Sequence, residues 1–149
     1  MLNSIEELNL DGFQIVRADM FIHLPRNCDA ACTIWPTKIS FNRRALHALN
    51  NCEYIRMEIN AQTKCMLVVP VTSNDKDSIR WLKGQKEYAC RNMESKPFGE
   101  KLYSAWGLNP NFNYRASGKL VSSRGKIMLL FSFADAEMWQ SKKAGAEGE

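Results

Sequence analysis

Apolar and polar residues alternate strictly from Glu53 to Asn60. Ile55, Met57 and Ile59 fall on one side, and Tyr54, Arg56, Glu58 and Asn60 on the other. A period of two predicts a strand with one buried face. Asn60-Ala61-Gln62-Thr63 is a hairpin connection, and Lys64 to Val71 returns as a more apolar strand covered on both faces. Ahead of this hairpin, Lys38 to Phe41 reads as a strand. Asn42 is an N-cap, and Arg43 to Leu49 is a short helix burying Ala45, Leu46, Ala48 and Leu49.

A similar order returns later. Tyr88 to Met93 is strand-like. Pro97 to Gly107 has proline at a helix start and glycine past its end, with Leu102, Tyr103 and Trp106 at helical spacing. Tyr114 to Val121, the turn Ser122-Ser123-Arg124-Gly125, and Lys126 to Phe133 form a second hairpin. Phe13 to Leu24 reads as an N-terminal strand ended by Pro25, and Pro25 to Pro36 as a loop with a short strand at Cys32 to Trp35. Ser73 to Lys83 reads as a short capped helix and Asp135 to Trp139 as a last turn. Residues 140–149 read as a frayed tail.

The expectation is one α+β domain over 1–149, with antiparallel β-hairpins packed by short helices. Its candidate half-units are 38–83 and 88–139, in a pseudo-two-fold repeat of strand–helix–hairpin. Tyr54 and Tyr114 open the two hairpins, Lys64 and Lys126 open the return strands, and Asp77 and Trp81 match Asp135 and Trp139. The offset is about 60 residues and the match is one of order, which both a duplication and an ordinary α+β domain produce. Open edges on such small hairpins favour a homodimer.

The run I-x-F-N … A-L … Y-I-R-M-E within Lys38 to Val71 resembles the AbrB/MazE swapped-hairpin DNA-binding family, as does Tyr88 to Phe133 more faintly. The family's proline at the strand-to-helix step is Asn42 here, and its Gly-Asp before the hairpin is Asn51-Cys52-Glu53. The segments ISFN-x-x-A-L-x-x-L-N-N, VP-x-x-x-x-D-K-D-S-I-R-W and LY-x-A-W-G-x-N-P look like small uncharacterised proteins of conjugative and integrative mobile elements of Gram-positive bacteria. The first resemblance implies DNA binding through paired hairpins. The second implies a setting and no activity.

Twenty Lys and Arg against 16 Asp and Glu give a net charge of +4. This permits nucleic-acid binding and counts against an acidic DNA mimic. No apolar run is long enough to cross a bilayer, and residues 1–13 lack a basic start and an apolar signal core. Five irregularly spaced cysteines without a C-x-x-C read as reduced thiols, so the expected location is cytoplasmic.

His23, Cys28 and Cys32 offer half a zinc site, but Cys65 and Cys90 sit among apolar neighbours as small hydrophobes, so no metal or cofactor is expected. The chain carries no G-x-S-x-G, no phosphate-binding glycine loop and no signature around any Cys or around His47. It reads as a non-enzyme. The cations Lys38, Arg43, Arg44, Arg56, Lys64, Arg115, Lys119, Arg124 and Lys126 gather on the hairpins and the first helix start. A β-ribbon fits the major groove, where such residues reach phosphates and guanine edges. Cations at a helix N-terminus oppose the dipole, which hints at a partner. The expected function is therefore regulatory binding of duplex DNA. The alternative is a protein-binding module or inhibitor presenting Trp35, Tyr54 and Tyr114. Trp81, Trp106 and Trp139 read as core anchors.

Overall fold

The computed structural model describes residues 5–17, 27–84 and 89–140, with the backbone alone described at Asn27 and Cys28. Among these residues nine strands and two helices follow in order: β1 (Asn27–Trp35), β2 (Lys38–Phe41), α1 (Arg43–Ala48), β3 (Tyr54–Asn60), β4 (Cys65–Val71), β5 (Ile79–Arg80), β6 (Met93–Glu94), α2 (Lys96–Trp106), β7 (Phe112–Ser123), β8 (Lys126–Ser132) and β9 (Glu137–Gln140). All nine strands belong to one antiparallel sheet, ordered β5-β3-β4-β8-β7-β1-β2-β6, with β9 on β7. The structure is 45% strand and 14% helix, and the sheet curls into a half-barrel. This corrects the expected α+β class: neither helix lies across a hairpin as a packing layer. Each turns its apolar side into the hollow of the sheet, Ala45, Leu46 and Leu49 from the first and Leu102, Tyr103 and Trp106 from the second.

The curl follows from the pattern of side chains. Register puts Ile39, Ile34 and Tyr114 in one row of the inner face, Phe41, Cys32 and Ala116 in the next, and Phe131, Met66 and Ile59 beyond. Gly118 lies opposite Phe131, and a Cβ there would sit 2.6 Å from the phenyl ring. The bare position lets the ring fill the hollow. Trp81 is fully buried, 5.2 Å edge-on from Phe41, and its indole N–H donates to the Cys52 carbonyl at 2.8 Å. The end strands are stitched together. After β5 the chain bridges Leu82 to Cys90 just before β6, with Lys83 N–H donating to Ala89 O (2.7 Å) and Arg91 N–H to Trp81 O (2.8 Å).

Local chemistry sets the element ends. Asn42 Oδ1 accepts from Ala45 N–H and from Ala31 N–H, each at 3.0 Å, while its Nδ2 donates to Asp29 O at 2.8 Å. One side chain thus caps α1 and ties it to β1. Ser95 caps α2, accepting from Phe98 N–H at 3.2 Å, and Gly107 ends it at φ 64°. Arg124 and Gly125 both have positive φ (54° and 78°), the two-residue turn whose twist suits a hairpin.

Other expectations change. Pro25 to Pro36 is not mainly a loop, since β1 runs through Trp35 and is buried on both faces from Ala30 to Ile34. Ser73 to Lys83 is not a helix. Thr72 to Asp77 makes side-chain-bonded turns, and the chain then extends as β5 so that Trp81 can enter the hollow. Asp135 to Trp139 gives a strand, β9, because β7 extends past β8 and offers a free edge. Phe13 to Arg17 is exposed and forms no strand, and the rest of the expected strand to Leu24 lies outside the described residues, as do His23, Tyr88 and 141–149. Of the strand expected at Tyr88 to Met93, the described part holds the Cys90 bridge and the start of β6. The hairpin edges that suggested a second copy are joined within the chain, β4 to β8. Among the described residues no helix is long and apolar enough to cross a membrane.

Candidate nucleic-acid interface

The outer face of the sheet carries the residues that alternate with the core. Along β7 these are Asn113, Arg115, Ser117, Lys119, Val121 and Ser123. The register extends their rows across neighbouring strands. Arg115 aligns with Thr33 and, on the other side, Glu137. Lys119 aligns with Leu130, and Ser123 with Lys126. Arg115, Lys119 and Lys126 are exposed, and Arg124 stands at the hairpin turn beside Lys126. None of these four makes an ion pair among the described residues. The structure therefore gathers four of the nine predicted cations along one strand and its hairpin tip.

The other five are differently placed. Arg56 is on the outer face but is held by Glu58 (2.9 Å) and Asp75 (2.6 Å), so its charge is locally cancelled. The Asp77 backbone N–H and Arg56 both bond the Asp75 carboxylate and, with a weaker attraction from the charge of Lys126, hold it below the usual carboxylate range. Lys126, Arg56 and Asp75 line one open groove of about 520 Å³. Arg44 lies 3.7 Å from Asp29, with both side chains mostly exposed, and Arg43 is exposed beside it. Asp29 occupies the irregularity in β1 between Asn27 and Ala31, which pair with Lys119 and Ser117, so the start of α1 flanks the middle of β7. Lys64 is half-buried with φ 56° in the first hairpin turn, and its carbonyl accepts from Phe133 N–H at 2.8 Å. Lys38 Nζ lies 4.4 Å over the Trp35 ring.

The three expected interface aromatics separate. Trp35 is half-buried on the outer face of β1. Tyr54 is half-buried on β3, on the far side of β4, β8 and β7. Tyr114 points inward, 7% exposed, with its hydroxyl accepting from Asn109 N–H at 3.0 Å. The inward parity of β7 removes it from any surface. Trp81 and Trp106 are core residues, and Trp106 N–H donates to Asn60 O at 3.0 Å. Trp139 is not an anchor. It is 37% exposed on β9, opposite Asn113.

Three thiols are held protonated by burial. Burial pushes Cys52 up to about 11 and Cys90 up to about 12, and raises Cys32 well above its ordinary value. Such thiols stay protonated and unreactive near neutrality. No cluster of metal-ligating side chains occurs among the described residues. Comparison of the chain with protein-family models, curated proteins and solved structures finds no match.

Proposed function

We propose that this chain is a non-enzymatic nucleic-acid-binding protein with a regulatory role, docking on phosphates through the outer face of β7 and the β7–β8 hairpin. The observation that carries the reading is the line of Arg115, Lys119, Arg124 and Lys126, exposed and free of ion pairs among the described residues. Arg124 and Lys126 end a two-stranded ribbon of the kind that enters the major groove of duplex DNA, with Arg115 and Lys119 on the sheet behind it. The segments that resemble mobile-element proteins suggest the setting, and thiols that are unpaired at Cys32, Cys52, Cys65 and Cys90 suit a reducing cytoplasm.

The test is duplex binding across a salt series. Four phosphate contacts give a slope of roughly −3 to −4 in log K against log salt, and R124A/K126A lowers it by about 2. R56A, whose charge is already cancelled, leaves the slope unchanged. Salt-independent or absent binding sinks the reading.

A second reading, a protein-binding module, is favoured by one observation. Leu120 and Ile127 are 44% and 50% exposed on the same face of the β7–β8 hairpin, near its tip. It expects nuclease-treated wild-type protein to retain a discrete partner that L120S/I127S loses.

A further inference from the structure

The outer face at the start of β7 has a second character. Register places Lys38 opposite Trp35, and Asn113 opposite Trp139. The β1–β7 ladder pairs Ile34 with Tyr114, so the next residues along, Trp35 and Asn113, also face each other. One row therefore reads Lys38, Trp35, Asn113, Trp139, with Thr33, Arg115 and Glu137 in the row beside it. Two tryptophans flank one amide.

Three features distinguish this row from core packing. Trp81 and Trp106 are buried, bonded through their indole N–H groups and packed against aromatic rings, whereas Trp35 and Trp139 have neither hydrogen bond nor aromatic ring partner among the described residues. Asn113 is 4% exposed, and its Oδ1 has no hydrogen-bond partner. An unpaired buried amide oxygen carries a cost of about 1–3 kcal/mol unless something satisfies it. Finally, Lys38 Nζ lies 4.4 Å over the Trp35 ring, which places a cation within the row.

Neighbouring strands are about 4.8 Å apart, so the backbones of Trp35 and Trp139, with β7 between them, are about 9–10 Å apart. The two tryptophans thus stand on one face with Asn113 between them. The geometry points to a stacking site for one unstacked base of a single-stranded nucleic acid on Trp35 and Trp139, whose rings must part for the base to reach the buried Asn113 amide. The strand's backbone then runs along Arg115 and Lys119. The inference rests on the nucleic-acid reading above and adds, beside the duplex docking on the β7–β8 hairpin, a separate site for a single strand. Aromatic rings also stack on sugars, but Lys38 and Arg115 beside the row favour a polyanion over a neutral glycan.

The test measures fluorescence anisotropy of a labelled oligothymidylate, its duplex with oligoadenylate, and a labelled neutral cello-oligosaccharide. The proteins are the full chain and its W35A, W139A, W139F and N113A variants, each checked for an unchanged urea midpoint. W35A and W139A are expected to weaken the single strand by roughly 5- to 100-fold, with tryptophan quenching lost and W139F largely restoring affinity. Duplex affinity stays within about twofold. Where W139A does not fold, W139F and W35A carry the comparison. Duplex binding with single-strand affinity unmoved by the tryptophan variants overturns the stacking site and leaves the functional reading standing. Binding to neither nucleic acid at low salt overturns both. Tryptophan-dependent binding of the oligosaccharide alone overturns the stacking site in favour of a glycan site.

Discussion

Gly99 offers a test in which local propensity and tertiary contact have opposite signs. It lies within α2, where alanine is favoured over glycine by about 1 kcal/mol, so propensity alone expects Gly99→Ala to stabilise. The contact says otherwise. A Cβ at Gly99 would fall on the Pro36 carbonyl oxygen, 2.6 Å from its carbonyl carbon and 3.2 Å from Thr37 N. These are backbone atoms of the β1–β2 turn, and they have no rotamer with which to yield. Ordinary contact begins near 3.4 Å, so the carbonyl carbon alone demands a retreat of about 0.8 Å and the nearer oxygen demands more. That retreat draws out Tyr103, whose hydroxyl bonds Phe112 O at 2.8 Å and Ile34 O at 3.3 Å; the longer bond does not survive it. Overpacking costs about 1–3 kcal/mol and a lost bond about 1. Against the propensity gain, the expected net loss is about 2 kcal/mol. In urea titration that is roughly 1 M in midpoint for an m-value near 2 kcal/mol/M. E100A, at the exposed neighbour, stays within about 0.5 kcal/mol. A G99A midpoint equal to or above that of the wild type would refute the close approach of α2 to the turn.

Asn42→Ala removes the acceptor of two backbone N–H groups and the donor to Asp29 O, and is expected to cost about 2–3 kcal/mol in urea unfolding; Asn42→Asp, which keeps the acceptor, recovers about half. Alkaline pH should destabilise the fold. Cys52 and Cys90 are raised in the native state from 9.0 to about 11 and about 12, so their contribution is complete below pH 9 and is lost as pH climbs through those values. The urea midpoint therefore falls between pH 9 and 11, and C90A makes the decline shallower; an identical decline in C90A would discount Cys90 as its source. Iodoacetamide at pH 8 should leave Cys32, fully buried, unmodified in the native protein, and mass mapping after quenching would show it.

Hairpins were legible because their information is local. The alternation at Ile55, Met57 and Ile59, and the Arg124-Gly125 turn, need no distant partner to be read. Both helices were placed to within a few residues by their caps, Asn42 and Gly107. The class was not legible, because it depends on what each apolar stripe meets. A short amphipathic helix looks alike whether it covers a sheet or plugs its hollow. The same limit applies to the site. Trp81 and Trp139 each trail a hairpin behind an acidic residue, yet one enters the hollow and the other rides an added strand. Arg56 reads as an outward cation, and only folding brings up Asp75, 19 positions away, to cancel it. The Trp35–Trp139 row joins three strands, β1, β7 and β9, that are far apart in the chain.

The pairing of β1 with β7 also has a consequence for synthesis. Ile34 meets Tyr114 and Asn27 meets Lys119, so the central edge of β1 stays unsatisfied while the whole of β2 to α2 emerges from the ribosome. Until β7 appears, a nascent chain exposes one strand edge and the apolar faces of β1, β2 and the first hairpin. Slower translation lengthens that interval, and a nascent chain in it is a natural client for a holding chaperone.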